Sequence, residues 1–94
     1  MINIPLKNGA ENARQQFTVQ LGDHYCDFRV YYLSYLDSPT WCLDVTRDGT
    51  PLVKGVALCP NGIIDLGYVG VLVFTGENVT LNNLGRENTL TWVP

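Results

Sequence analysis

Two groups of side chains in this sequence could do chemistry. The first is a thiol beside an imidazole: His24 and Cys26 stand two apart, which in an extended strand places them on one face. A nucleophile with an adjacent base needs such proximity. Yet His24 is the sole histidine of 94 residues, and the Gly22-Asp23 turn signal beside it points to an exposed position. Cys26, Cys42 and Cys59 form an odd set with no Cys-x-x-Cys spacing, so neither a disulfide frame nor a four-ligand zinc site is expected. They read as small, reduced, buried hydrophobes. The second group is carboxylates, Asp37 with Asp44 or Asp44 with Asp48, as acid and base. Asp48, however, belongs to an Asp-Gly turn, and Asp44 falls on the polar face of a strand, so both read as solvated. The Asp44-to-Gly49 stretch lacks the ligand density of a calcium loop. The glycines sit at turns or inside strands, not in a phosphate cradle. No enzymatic activity, metal or cofactor is expected.

The more distinctive local feature is aromatic. Tyr31, Tyr32 and Tyr35 gather just before Trp41, with Leu33 and Leu36 between them. Tyr32, Leu36 and Trp41 suit a core. Tyr31 and Tyr35 suit an interface, where tyrosine is enriched. A sugar-stacking platform is the alternative. It would also need flanking carboxylates and amides, so the low charge of the chain favours a protein neighbour.

These residues are carried by strands almost throughout. Phe17, Val19 and Leu21 alternate with Gln16, Thr18 and Gln20, a half-buried strand closed by Gly22-Asp23. Cys26, Phe28, Val30 and Tyr32 then oppose Tyr25, Asp27, Arg29 and Tyr31 on the return strand. After a loop at Asp37-Ser38-Pro39, Trp41, Leu43 and Val45 alternate with Cys42, Asp44 and Thr46. Asp48-Gly49 marks the next hairpin, and Gly55 inside the following strand, Leu52 to Leu58, suggests a bulge. Ile63 to Gly67 is a strand or an irregular crossover. Val69 to Thr75 is nearly continuous and apolar, as for a central strand buried on both faces. Asn88 to Val93 closes the chain with Leu90 and Trp92 facing inward. Ala10 to Arg14 and Thr80 to Gly85 have room for a single helical turn each. The fold class is therefore all-β, one domain over residues 1–94, a small antiparallel barrel or sandwich of about six to seven strands with little helix.

Composition narrows the partners. A chain this short buries roughly 60–65% of its unfolded surface, an adequate but modest core. It is 46% hydrophobic and 16% charged, against about 25% charged for an average soluble protein. So little charge implies either low solubility or a surface that a partner covers. The six Lys and Arg residues are scattered and the net charge is −3, which argues against a nucleic-acid partner. No apolar run reaches the length that spans a bilayer as a helix, and the first residues lack the basic start and apolar stretch of a signal peptide. Synthesis in a reducing cytoplasm is the expectation.

Four segments, in order, carry a resemblance: Ile4-Pro5-Leu6; Phe17 to Gly22 leading into Tyr25–Tyr32; Trp41-Cys42-Leu43-Asp44-Val45 with Arg47 to Val53; and Asn82-Asn83-Leu84-Gly85. Together they look like the small baseplate plug proteins of contractile-tailed bacteriophages, over nearly the whole chain. Order and spacing carry the likeness, since none of these motifs is chemically distinctive. The resemblance implies a structural subunit of the virion tail baseplate, assembled in the host cytoplasm near the hub. It implies a role in closing the tube end, with other baseplate, hub and tube proteins as partners. Symmetric copies about the three-fold or six-fold tail axis would follow. It brings no catalytic residues. Tyr31, Tyr35 and the segment holding Ile63, Ile64 and Leu66 are the expected contacts with neighbours, the last more apolar than such a loop would be expected to be.

Overall fold

The computed structural model describes residues 2–34 and 39–94. The expected alternation is realised as two four-stranded antiparallel sheets packed face to face. The strands are β1 (Ile2–Asn3), β2 (Arg14–Leu21), β3 (His24–Leu33), β4 (Thr40–Arg47), β5 (Thr50–Ala57), β6 (Gly62–Asp65), β7 (Val71–Gly76) and β8 (Asn88–Val93). Sheet one is the meander β2-β3-β4-β5; sheet two has the order β1-β8-β7-β6. The fold is a sandwich, not a barrel. It has one strand more than the upper expectation, because the two-residue β1, too short to show a period, pairs with β8 through Ile2–Trp92 and Asn3–Thr91. Short 3₁₀ turns occupy Ala10–Asn12 and Gly67–Val69.

The hairpins follow their turn chemistry. Between β4 and β5, Arg47 and Thr50 close a two-residue loop in which Asp48 (φ 51°) and Gly49 (φ 80°) both take the left-handed conformation. That is a type I′ turn, whose twist matches the flanking strands. Leu21 and His24 close the β2–β3 hairpin around Gly22-Asp23, where Gly22 alone takes a positive φ (64°), the pattern of a type II′ turn.

One core lies between the sheets. Phe28, Val30, Trp41, Leu43 and Val45 of sheet one meet Ile64, Leu72, Phe74, Leu90 and Trp92 of sheet two, with Leu58, Leu66, Val69 and Leu84 at the ends. Each such fully buried apolar side chain contributes about 1.5–3 kcal/mol. The indoles of the core keep their polar atoms satisfied: Trp41 Nε1 donates to the Thr80 carbonyl at 2.9 Å and Trp92 Nε1 to that of Val69 at 3.0 Å. Tyr32 packs edge-on against Trp41, as expected of the aromatic cluster. Leu36 lies outside the described residues.

The segments that carry the resemblance prove to be structural. Ile4 is in the core, and its N–H donates to Leu90. The 77–88 connection is knotted by two buried amides. Asn83 Oδ1 accepts from the Thr80 N–H at 2.6 Å, its Nδ2 donates to the Asn78 carbonyl, and Asn88 Oδ1 accepts from the Gly85 N–H at 2.7 Å. A Cβ on Gly85 would stand 2.6 Å from the Leu6 carbonyl, and its φ of 79° is left-handed. Glycine there lets the N-terminal segment lie against this connection.

Candidate interaction surfaces

β2, β3, β4 and β5 turn every second residue outward, so the pairing registers line up the outer face of sheet one. Gln16, Arg29 and Asp44 form one row; Arg14, Tyr31 and Cys42 the next; Thr18, Asp27 and Thr46 a third. This face ties up its own polar groups. Asp44 faces two residues of β5, Lys54 and Gly55, where the register shifts. Its Oδ1 accepts the Gly55 N–H at 2.7 Å and the Tyr31 hydroxyl at 3.0 Å. The carboxylate therefore holds the bulge that Gly55 predicts. Thr18 donates to Asp27 at 2.7 Å. Burial, and then the bond to Asp44, push the Tyr31 phenol up to about 12. Two shallow depressions lie on this face, of about 290 Å³ beside Lys54 and about 620 Å³ beside Arg14 and Leu33.

The outer face of sheet two is different in kind. Ile63, Val73, Thr91 and Asn3 form one row across β6, β7, β8 and β1; Asp65, Val71 and Val93 form another; Thr75 and Thr89 a third. Asp65 is the one charged member, and it stands at a corner with its carboxylate accepting the Gly67 N–H at 2.7 Å. Ile63 is 71% exposed, and Val71, Val73 and Val93 are half-exposed. The run from Val69 to Thr75 is thus buried on one face only. Leu72 and Phe74 point into the core, while Val71 and Val73 are presented outward. No second layer covers this face among the described residues.

A third feature bridges the sheets at one end. Tyr68, 69% exposed, reaches from its 3₁₀ turn in the β6–β7 connection to sheet one. Arg47 Nη1 donates to its hydroxyl at 2.7 Å, and the His24 ring meets its ring edge-on at 5.5 Å. Tyr68 makes His24 half-buried where the turn suggested exposure. Sequence spacing gave no sign of this clamp, because its three members come from three separate elements.

The expected contact residues divide. Ile63 is on the surface, whereas Ile64 (7% exposed) and Leu66 (2%) belong to the core. Ile64 lies in β6, whose period of two turns it opposite to Ile63 and into the core, and Leu66 follows just after that strand. Tyr31 is half-buried on the outer face of sheet one with its hydroxyl bonded to Asp44. Tyr35 lies outside the described residues. All three cysteines are free thiols: Cys26 and Cys42 are buried, which raises both thiols above their ordinary range, and Cys59 is exposed. Among the described residues no group of three His, Cys, Asp or Glu side chains could hold a metal.

No curated protein matches the chain closely enough to count as a relative. A family model does, that of the cyanophage baseplate Pam3 plug gp18, over residues 1–94. The family resemblance carried by the four sequence segments is therefore correct, and the chain belongs to this baseplate plug family.

Proposed function

We propose that this chain is a structural subunit of a phage tail baseplate that helps to close the tube end near the hub, and that it docks there through the outer face of sheet two. The observation that carries the docking surface is the apolar, β-branched face around Ile63, Val71, Val73 and Val93, with Asp65 its single charge at a corner. Leaving such a face in water forgoes burial worth about 25 cal/mol per Å² of apolar area, and contiguous apolar patches of this kind mark interaction sites. The partners are other baseplate, hub and tube proteins, with copies of the chain arranged about the tail axis after synthesis in the host cytoplasm. Tyr31, on the outer face of sheet one, would then be a further contact, as would Tyr35.

A catalytic role finds little support. Asp44 is engaged by Tyr31 and Gly55, and Asp48 is spent on its turn. A sugar platform is equally poorly served, since Trp41 is fully buried and Trp92 nearly so. Immunogold labelling of intact particles of the parent phage tests the reading. Label confined to the tail tip, exposed if necessary by mild disruption, is the expected result. Purified particles that lack the protein by mass spectrometry would overturn it.

A further inference from the structure

The sandwich has four sheet edges, and three of them are blunted. β1 is two residues long and β6 four. β5 carries Pro51, Lys54 and a bulge whose Gly55 N–H is capped by Asp44. Short strands, proline, lysine and bulges are the devices that keep an edge from pairing. β2 has none of them. It runs eight residues, Arg14 to Leu21, in unbroken register with β3, and its one charge, Arg14, is at the end.

The backbone groups that this edge leaves free can be named. Tyr32 N–H donates to the Ala13 carbonyl at 2.9 Å. Continuing the register from that pair, Gln15, Phe17, Val19 and Leu21 turn their backbone groups toward β3. Arg14, Gln16, Thr18 and Gln20 therefore turn theirs away from the sheet. Beside this row, Phe17 and Val19 are half-exposed on the inner side, Phe17 stacked on Phe28 at 5.6 Å.

We infer that β2 pairs with β2 of a second copy of this chain, antiparallel about a two-fold axis at Thr18, joining the two first sheets into one continuous sheet. The strand is self-complementary in that register. Gln16 faces Gln20 of the other copy, and Phe17 faces Val19, an aromatic–β-branched pair of the favourable kind. Arg14 reaches the other copy's Gly22-Asp23 turn, so the one cation of the edge meets an anion, and no like charges are opposed. An isologous contact of this kind is the commonest way for a chain to cover its own surface. The pairing describes the free protein, shields the one unguarded edge from adventitious partners, and does not rest on the plug reading.

Analytical ultracentrifugation of the purified full-length chain tests it. A dimer is expected, and a monomer up to the millimolar range would overturn the inference, as would an edge whose amides become protected only in assembled tails. Gln16→Pro removes a donor that points away from β3 and costs no ladder bond or side-chain hydrogen bond. It should weaken the dimer by more than about tenfold with the circular dichroism spectrum retained, and an undiminished dimer would place the contact elsewhere. The register has its own test in soluble variants. Arg14→Glu and Asp23→Lys should each weaken the dimer by roughly two- to fivefold, and the two together should restore it; failure to restore would reject the two-fold axis at Thr18.

Discussion

The two outer faces of the sandwich are built by the same rule, every second residue outward, yet they end in opposite states. On sheet one, Asp44, Tyr31, Thr18 and Asp27 bond to one another or to backbone, and charge keeps the remaining surface hydrated. On sheet two, the outward positions of β6, β7 and β8 are Ile, Val and Thr, with a single carboxylate at the corner. A face of the first kind is complete in water. A face of the second kind has β-propensity without solubility, which suits a surface designed to be covered. The difference teaches that low overall charge in this chain is concentrated on one side of it.

The sharpest way to break that comparison lies in two neighbouring residues of β7. Leu72→Ala should cost about 2–5 kcal/mol by opening the core, a large part of the roughly 5–15 kcal/mol that holds a domain of this class together. Val73→Lys, one residue along and facing out, should cost no more than about 1 kcal/mol and yet remove the protein from assembled particles. Chemical denaturation and particle composition together check both. If Val73→Lys is incorporated normally, the face has no partner.

Smaller effects sharpen the account of the polar face. Asp44→Ala leaves the Gly55 N–H and the Tyr31 hydroxyl without their charged acceptor, and a destabilisation of about 1.5–3 kcal/mol is expected. Tyr31→Phe removes one hydrogen bond and should cost about 0.5–1.5 kcal/mol. Ultraviolet titration follows the same contact. Tyr31 should ionise at about 12, and in Asp44→Ala it should titrate earlier. Its folded value is raised above the ordinary one of about 10, so its contribution to stability is fully present below that pH. The contribution is lost as pH rises through about 12. A Tyr31 that titrates at the ordinary value of about 10 would mean that the bond to Asp44 does not form in solution.

Much of this fold was legible because the alternation was clean. The β2–β3 hairpin, the Asp48-Gly49 turn, the Gly55 bulge and the inward Leu90 and Trp92 all follow from period and turn chemistry. The family followed from the order of four motifs that turn out to be scaffold: Ile4 in the core, the β2–β3 hairpin, the Trp41 strand, and the Asn82–Gly85 segment with its bonded Asn83 and the close approach at Gly85. Two readings failed for one physical reason. An apolar run does not reveal whether its second face meets protein of its own chain or of another, so Val71 and Val73 read as interior. By the same ambiguity the Ile63–Leu66 segment read as surface throughout, although its period of two sends Ile64 inward. Tyr68, His24 and Arg47 were invisible, because nothing in the spacing of residues 24, 47 and 68 brings them together before the sheets have packed.

The central claim, that the outer face of sheet two is covered in the tail, is tested most directly by thiol labelling before and after assembly. In a Cys59→Ser background, Thr89→Cys places a probe on that face and Lys54→Cys places one on sheet one. Both should react with a maleimide in the free protein. In intact tails the Thr89→Cys thiol should be shielded while the Lys54→Cys thiol still reacts. A Thr89→Cys thiol that labels equally in free protein and tails, beside a shielded Lys54→Cys, would contradict the account.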